Sequence, residues 1–143
     1  VSRGLGDVYK RQELMDAFHV ASLMVRHGVS KLCLAGFSFG GSIAARLIQT
    51  IRKEGLDVEV IDLIQVAPAV ENFPIEHSAL GNVPRTVIYN EDDDVVDPQA
   101  IRAYAIGVHA QLIHSTTGGH FFHGELTRLK EVISSHYLER GIV

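Results

Sequence analysis

At 143 residues the chain is one domain in length, long enough to bury a core but at the small end for an enzyme built on parallel strands. Hydrophobic residues make up 46% and charged residues 21%, and the net charge is −4. That balance excludes a disordered or fibrous chain and, without basic clusters, speaks against nucleic-acid binding. No run approaches the ~18 continuous apolar residues of a transmembrane helix. The lone cysteine, Cys33, can form no internal disulfide and is expected to pack as a small hydrophobe, in keeping with a reducing, cytoplasmic location.

The opening string VSRGLGDVYKRQ (1–12) starts without methionine and shows neither the charged-then-apolar layout of a signal peptide nor a helical stripe. It is expected to form a non-native or disordered tail ahead of a domain spanning 13–143. Its portion SRGLGDVYKRQ resembles the translation of sequencing-adapter DNA found at the ends of environmental gene assemblies. That resemblance implies that residues 2–12 are foreign and that a natural N-terminal part, which could carry an export signal, is missing.

From Glu13 to His27, apolar residues at Leu14, Ala17, Phe18, Ala21, Met24 and Val25 keep the three-and-four spacing of one helical face, closed by Gly28. KLCLA (31–35) suits a buried parallel strand. After a glycine-rich turn, Ile43, Ala44, Leu47, Ile48 and Ile51 form a second helical stripe that stops at Gly55. VEVIDLIQVAP (58–68) is rich in β-branched residues and reads as the next strand. RTVIYN (85–90) is a third, and Asp97 followed by Pro98 marks a helix start that should end near Gly107 with Ile101, Tyr104 and Ala105 inward. AQLIHS (110–115) reads as the last strand, and Phe122, Leu126, Leu129, Ile133 and Tyr137 stripe a final helix. About four strands alternating with helices predict an α/β fold: a parallel sheet with helices on both faces.

The chemistry begins at GFSFG (36–40), where a strand ends and a helix begins. In a turn this tight, a Cβ at Gly36 or Gly40 is expected to collide with the neighbouring strand or helix. The result is a Ser38 hydroxyl held clear of the backbone, with the helix N-terminus and the Phe39 amide ready to stabilise negative charge. By composition alone the pattern recurs by chance in roughly a few per cent of chains of this length, so its placement between strand and helix carries the meaning.

A serine needs a base to take its proton and a carboxylate to orient that base, both at later strand ends. Carboxylates come as a run, NEDDDVVD (90–97), where all but one are expected to be solvated. Among the histidines, His114 falls inside a strand. His120 follows TTGG on a flexible tip and is favoured as the base, with His123 as the alternative.

With those residues in order, the chain resembles the α/β-hydrolase superfamily. GFSFGG, NEDDDVVD and GGHFFHGEL are similar to the signature loops of a small, lidless bacterial family of predicted hydrolases related to dienelactone hydrolase. The family's acid loop commonly reads G-E-x-D-x-x-V, which implies Asp93 as the acid, with Asp94 the alternative, and places Asn90 where glycine is usual. The resemblance implies His120 as the base. It implies a serine hydrolase of carboxylic esters or thioesters, with a small-molecule substrate, no cofactor and no metal. It also implies a fragment, since the family's first strands and the loop giving the second oxyanion donor are not in the sequence. Losing one such donor costs roughly 100-fold to 1000-fold in turnover, and the strand carrying Ser38 would become an exposed apolar edge. The chain alone is therefore expected to be poorly soluble and nearly inactive.

Three other readings compete. An acyltransferase or peptidase of the same fold would keep the triad, but the segment 69–84 is too short for a helical cap, and an open site favours hydrolysis over transfer. A non-catalytic binding relative would be expected to lack a triad member. A nucleotide-binding domain needs a phosphate loop with a different glycine spacing and a following lysine. HFFH offers two imidazoles, without a third ligand nearby for zinc. Oligomeric state is left open.

Overall fold

The computed structural model describes residues 2–71 and 74–143. Helix α1 (Ser2–Arg26) leads into strand β1 (Lys31–Phe37), helix α2 (Phe39–Glu54) and strand β2 (Glu59–Val66). A 3-10 turn (His77–Leu80) precedes strand β3 (Arg85–Asn90), helix α3 (Pro98–Gly107), strand β4 (Gln111–Ser115) and helix α4 (Leu126–Glu139). The four strands form one parallel sheet in the order β1-β2-β3-β4. The sequence thus predicts the α/β architecture correctly, with strand limits that move by no more than two residues.

The period-two alternation of each strand sorts its side chains between two helical layers. On one face, Ala44, Ala45 and Ile48 of α2 cover Leu63, while Ile101 and Ala105 of α3 cover Val87 and Tyr89. On the other, Leu129, Ile133 and Tyr137 of α4 pack on Ile64, Val66 and Ile88. Helix α1 joins α2 over β1 through Ala21, Leu32, Leu47 and Ile51. Local chemistry sets the helix ends: Gly55 takes φ 67 and returns its N–H to Ile51 O, and the Asp97 carboxylate accepts from Gln99 N at 3.0 Å ahead of Pro98.

Helix α1 begins at Ser2, well before the expected Glu13. Met24 is 40% exposed, outside the expected inward stripe, because Val20, Leu23 and Met24 form an apolar side facing away from β1. The final stripe also differs. Leu126 is 65% exposed, and Phe122 precedes the helix in a turn, at φ 56, yet is 1% exposed. Positive φ at Phe122 and Gly124 breaks the helical path, and Phe122 plugs the core from a loop.

One carboxylate is buried within the apolar β2 pattern. Asp62 is fully buried, its Oδ1 accepting from His136 Nε2 at 2.9 Å, while Oδ2 has no hydrogen-bond partner. Burial first, then the Asp62 charge, pushes the half-buried Cys33 thiol up from its ordinary pKa. Among the described residues no helix is long and apolar enough to cross a membrane.

Candidate active site

Ser38 joins β1 to α2 with φ 53 and ψ −117, a conformation that costs a non-glycine residue about 1–3 kcal/mol and persists only where its surroundings enforce it. Those surroundings are specific. Ser38 N donates to Val66 O at 2.8 Å, and Ser38 O accepts from Ala69 N at 3.2 Å and Gly41 N at 3.1 Å. Ser42 Oγ donates to Ala69 O at 2.9 Å. Gln65, buried in β2, donates to Gly41 O at 2.8 Å and accepts from Tyr104 OH at the same distance, which links the turn to α3. Burial pushes the Tyr104 hydroxyl up from its ordinary pKa despite the Gln65 hydrogen bond, so it stays a donor at neutral pH.

The glycines divide differently from expectation. A Cβ on Gly36 would strike the Gly40 carbonyl, as the tight turn requires. At Gly40 there is nothing within 4 Å, so the expected collision there is absent. The second crowded position is Gly41, where a Cβ would lie 3.1 Å from Gly36 O and 3.5 Å from Pro68 Cβ. The reason is helical geometry: the Gly41 position faces the β2 end, and the Gly40 position faces away from it.

Ser38, Asp93 and His120 come from three different strand ends and meet in one hydrogen-bonded line. His120 Nε2 lies 3.0 Å from Ser38 Oγ, and His120 Nδ1 lies 2.8 Å from Asp93 Oδ2. The imidazole and carboxylate side chains are 2% and 0% exposed. An ionised carboxylate only accepts, so Nδ1 carries the proton and the Nε2 lone pair faces the serine hydroxyl. Asp93 is itself fixed, its Oδ1 accepting from Val95 N and Val96 N, each at 2.9 Å. Phe39 opens α2, and first-turn amides have no acceptor within their own helix.

The alternatives fall elsewhere. Asp94 is exposed, and His123 is exposed with its ring 6.3 Å from Phe121. His114 pairs with Glu91 at 3.1 Å and stacks on Tyr89. Among the described residues no group of three or more His, Cys, Asp or Glu side chains is disposed to hold a metal. Sequence reasoning missed Asp92, whose Oδ1 accepts from Gly119 N at 2.8 Å just before His120, and the buried side chains of Asn90 and Gln65.

Two cavities share Phe121 beside the imidazole. One, of about 400 Å³, is apolar and lies along the open face of β1, lined by Ala35, Phe37, Val66, Phe121, Leu126 and Ile133. The other, of about 580 Å³, is lined by Asp92, Asp94, His120, Phe121 and His123. Phe121 lines both cavities and Phe37 the apolar one, with ring centroids 4.9 Å and 5.0 Å from that of His120.

No protein-family model matches the sequence, and no significant match exists among curated proteins. Solved structures do match. An α/β serine hydrolase homologue from Coxiella burnetii aligns with TM-score 0.54 and 30% identity over 73% of this chain and 48% of its own. A lidless α/β serine hydrolase from Xanthomonas campestris aligns with TM-score 0.58 and 25% identity over 76% and 47%. The type II thioesterase BorB of the borrelidin biosynthetic cluster aligns with TM-score 0.57 and 16% identity over 84% and 67%. The chain spans about half the length of the Coxiella and Xanthomonas proteins. Four parallel strands, flanking helices and these likenesses together identify the fold as that of the α/β hydrolases.

Proposed function

We propose that the protein is a serine hydrolase that cleaves carboxylic esters or thioesters through an acyl-enzyme. The observation that carries this reading is the line Ser38–His120–Asp93, at 3.0 Å and 2.8 Å, with the serine in an elbow its neighbours enforce. His120 Nε2 takes the Ser38 proton as Oγ attacks the acyl carbon, and Asp93 holds the imidazole and balances its charge. The Phe39 amide and the α2 N-terminus face the developing oxyanion. Collapse breaks the bond to the alcohol or thiol, which leaves with the proton from His120. Water, deprotonated by the same imidazole, then attacks the acyl-enzyme and releases the acid.

The site's surroundings favour hydrolysis over acyl transfer. Phe121, on the loop beside His120, is 56% exposed, so water reaches the acyl-enzyme. The complete protein is proposed to cover the open side of β1 with further strands that bring a second oxyanion donor. Turnover by the 143-residue chain alone is then expected to be weak. The reading is tested with an activated aryl thioester or ester in excess over the protein, followed in the pre-steady state. A stoichiometric burst that Ser38→Ala abolishes is expected, and a burst that survives the substitution would overturn it.

A further inference from the structure

His120 rides on residues 116–124, a stretch with neither helix nor strand, yet its imidazole is as buried as the core. Loops of this kind are ordinarily the mobile part of a fold, so something must hold the histidine in register. The peptide unit between Gly119 and His120 supplies the handle. Its carbonyl, Gly119 O, accepts from the side-chain amide of Asn90, Nδ2, at 2.9 Å. Asn90 ends β3, is 0% exposed, and pairs in the ladder with Ser115 at the start of the loop.

The orientation of that amide is also determined. Asn90 Oδ1 accepts from Arg128 Nη2 at 3.2 Å, and Arg128 Nε donates to Glu125 Oε2 at 2.8 Å. A flipped amide would aim its NH₂ at a guanidinium and its oxygen at a carbonyl, which is unfavourable at both ends. The space is matched as well. Gly118 takes φ 124, and a Cβ there would come within 2.7 Å of Asn90 Nδ2, so glycine at 118 accommodates the amide. On the far side of the histidine, buried Phe122 anchors the chain beneath the Arg128 guanidinium, 6.0 Å from its ring centroid.

We propose that Asn90 is a positioning residue: its side-chain amide, oriented by Arg128, fixes the peptide plane preceding His120 and so holds Nε2 on the Ser38 hydroxyl. The role in turnover rests on the serine-hydrolase reading, whereas the effect on the imidazole does not. A misplacement of about 1 Å can cost about 100-fold in rate, so the amide has leverage although it touches no reacting atom.

The decisive variant is Asn90→Asp, which keeps the volume and the acceptor for Arg128 but replaces the donor to Gly119 O with an oxygen. Two readouts on the 143-residue chain separate the inference from the reading beneath it. The first is ¹⁵N-resolved NMR of the His120 ring. The wild type is expected to show one tautomer with a low-field Nδ1 proton, and Asn90→Asp to lose or broaden that signal while the Phe122 resonances stay in place. The second is the rate of fluorophosphonate labelling, expected to fall about 10-fold to 100-fold in Asn90→Asp at the pH optimum. Should Asn90→Asp not fold, Arg128→Met frees the amide to flip from a partly exposed position, with a smaller loss in both readouts. An unchanged His120 signal and an unchanged labelling rate in a folded variant would overturn the proposal. A changed ring signal in a chain that labels in neither form would support positioning by Asn90 while sinking the hydrolase reading.

Discussion

Strand β1 is more apolar by composition than β3, yet β3 is buried at all six positions while β1 is buried at one of seven. Composition does not account for this; neighbours do. Strand β3 lies between β2 and β4 with α3 on one face and α4 on the other, whereas among the described residues β1 pairs only with β2 and faces an open apolar cavity on its α4 side. The candidate site straddles this divide. Its acid and base come from the enclosed side, where Asp93 and His120 are almost fully buried, and its nucleophile comes from the end of the open strand. Ser38 therefore keeps its geometry through a few hydrogen bonds to β2 and the segment after it rather than through enclosure.

If the enclosed side sets the chemistry, the largest effect should come from Asp93→Asn. The asparagine oxygen can keep the Val95 and Val96 amides, but its NH₂ would face His120 and favour the other imidazole tautomer. Turnover or labelling should fall about 10³-fold to 10⁴-fold with an unchanged circular dichroism spectrum.

Next comes the buried pair between β2 and α4. His136→Ala leaves the Asp62 carboxylate with only Arg140, whose Nε is 3.9 Å away, and should lower the unfolding free energy by about 3 kcal/mol. Urea denaturation measures this directly.

The elbow itself is tested by two neighbouring glycines. Gly36→Ala forces a Cβ into the Gly40 carbonyl and should cost at least about 2 kcal/mol, whereas Gly40→Ala meets open space on a helix and should be neutral or stabilise by up to about 1 kcal/mol. Equal costs at the two positions would remove the steric explanation of the turn. The smallest effect belongs to the outward side of α1. Leu23→Lys, at a position 52% exposed, should change stability by less than about 0.5 kcal/mol.

What was legible in the sequence follows the same divide between local and distant causes. Asp97 with Pro98 announced α3 because an N-cap and a proline act on their own few residues. GFSFG announced the elbow because a strand, a turn and a helix are contiguous there, and the successive strand ends offered a run of carboxylates and then His120, within which only the family resemblance singled out Asp93 over Asp94. Asn90 stood in the sequence as a departure from a glycine, and nothing local revealed that its amide would meet Gly119, 29 residues on. Gln65 and Asp62 were hidden in a β-branched run because their partners lie on helices α2, α3 and α4. Phe122 fitted a helical stripe by spacing alone, and only its positive φ, enforced by the loop that carries His120, took it out of the helix.

The most direct test is to map a fluorophosphonate adduct by peptide mass spectrometry on the wild type, Ser38→Ala and His120→Gln. A single adduct on the peptide containing Ser38, absent from Ser38→Ala and slowed by at least about 10³-fold in His120→Gln, is the expected result. An adduct on another residue, or one on Ser38 that forms equally fast without His120, would contradict the assignment of Ser38 as a nucleophile activated by that histidine.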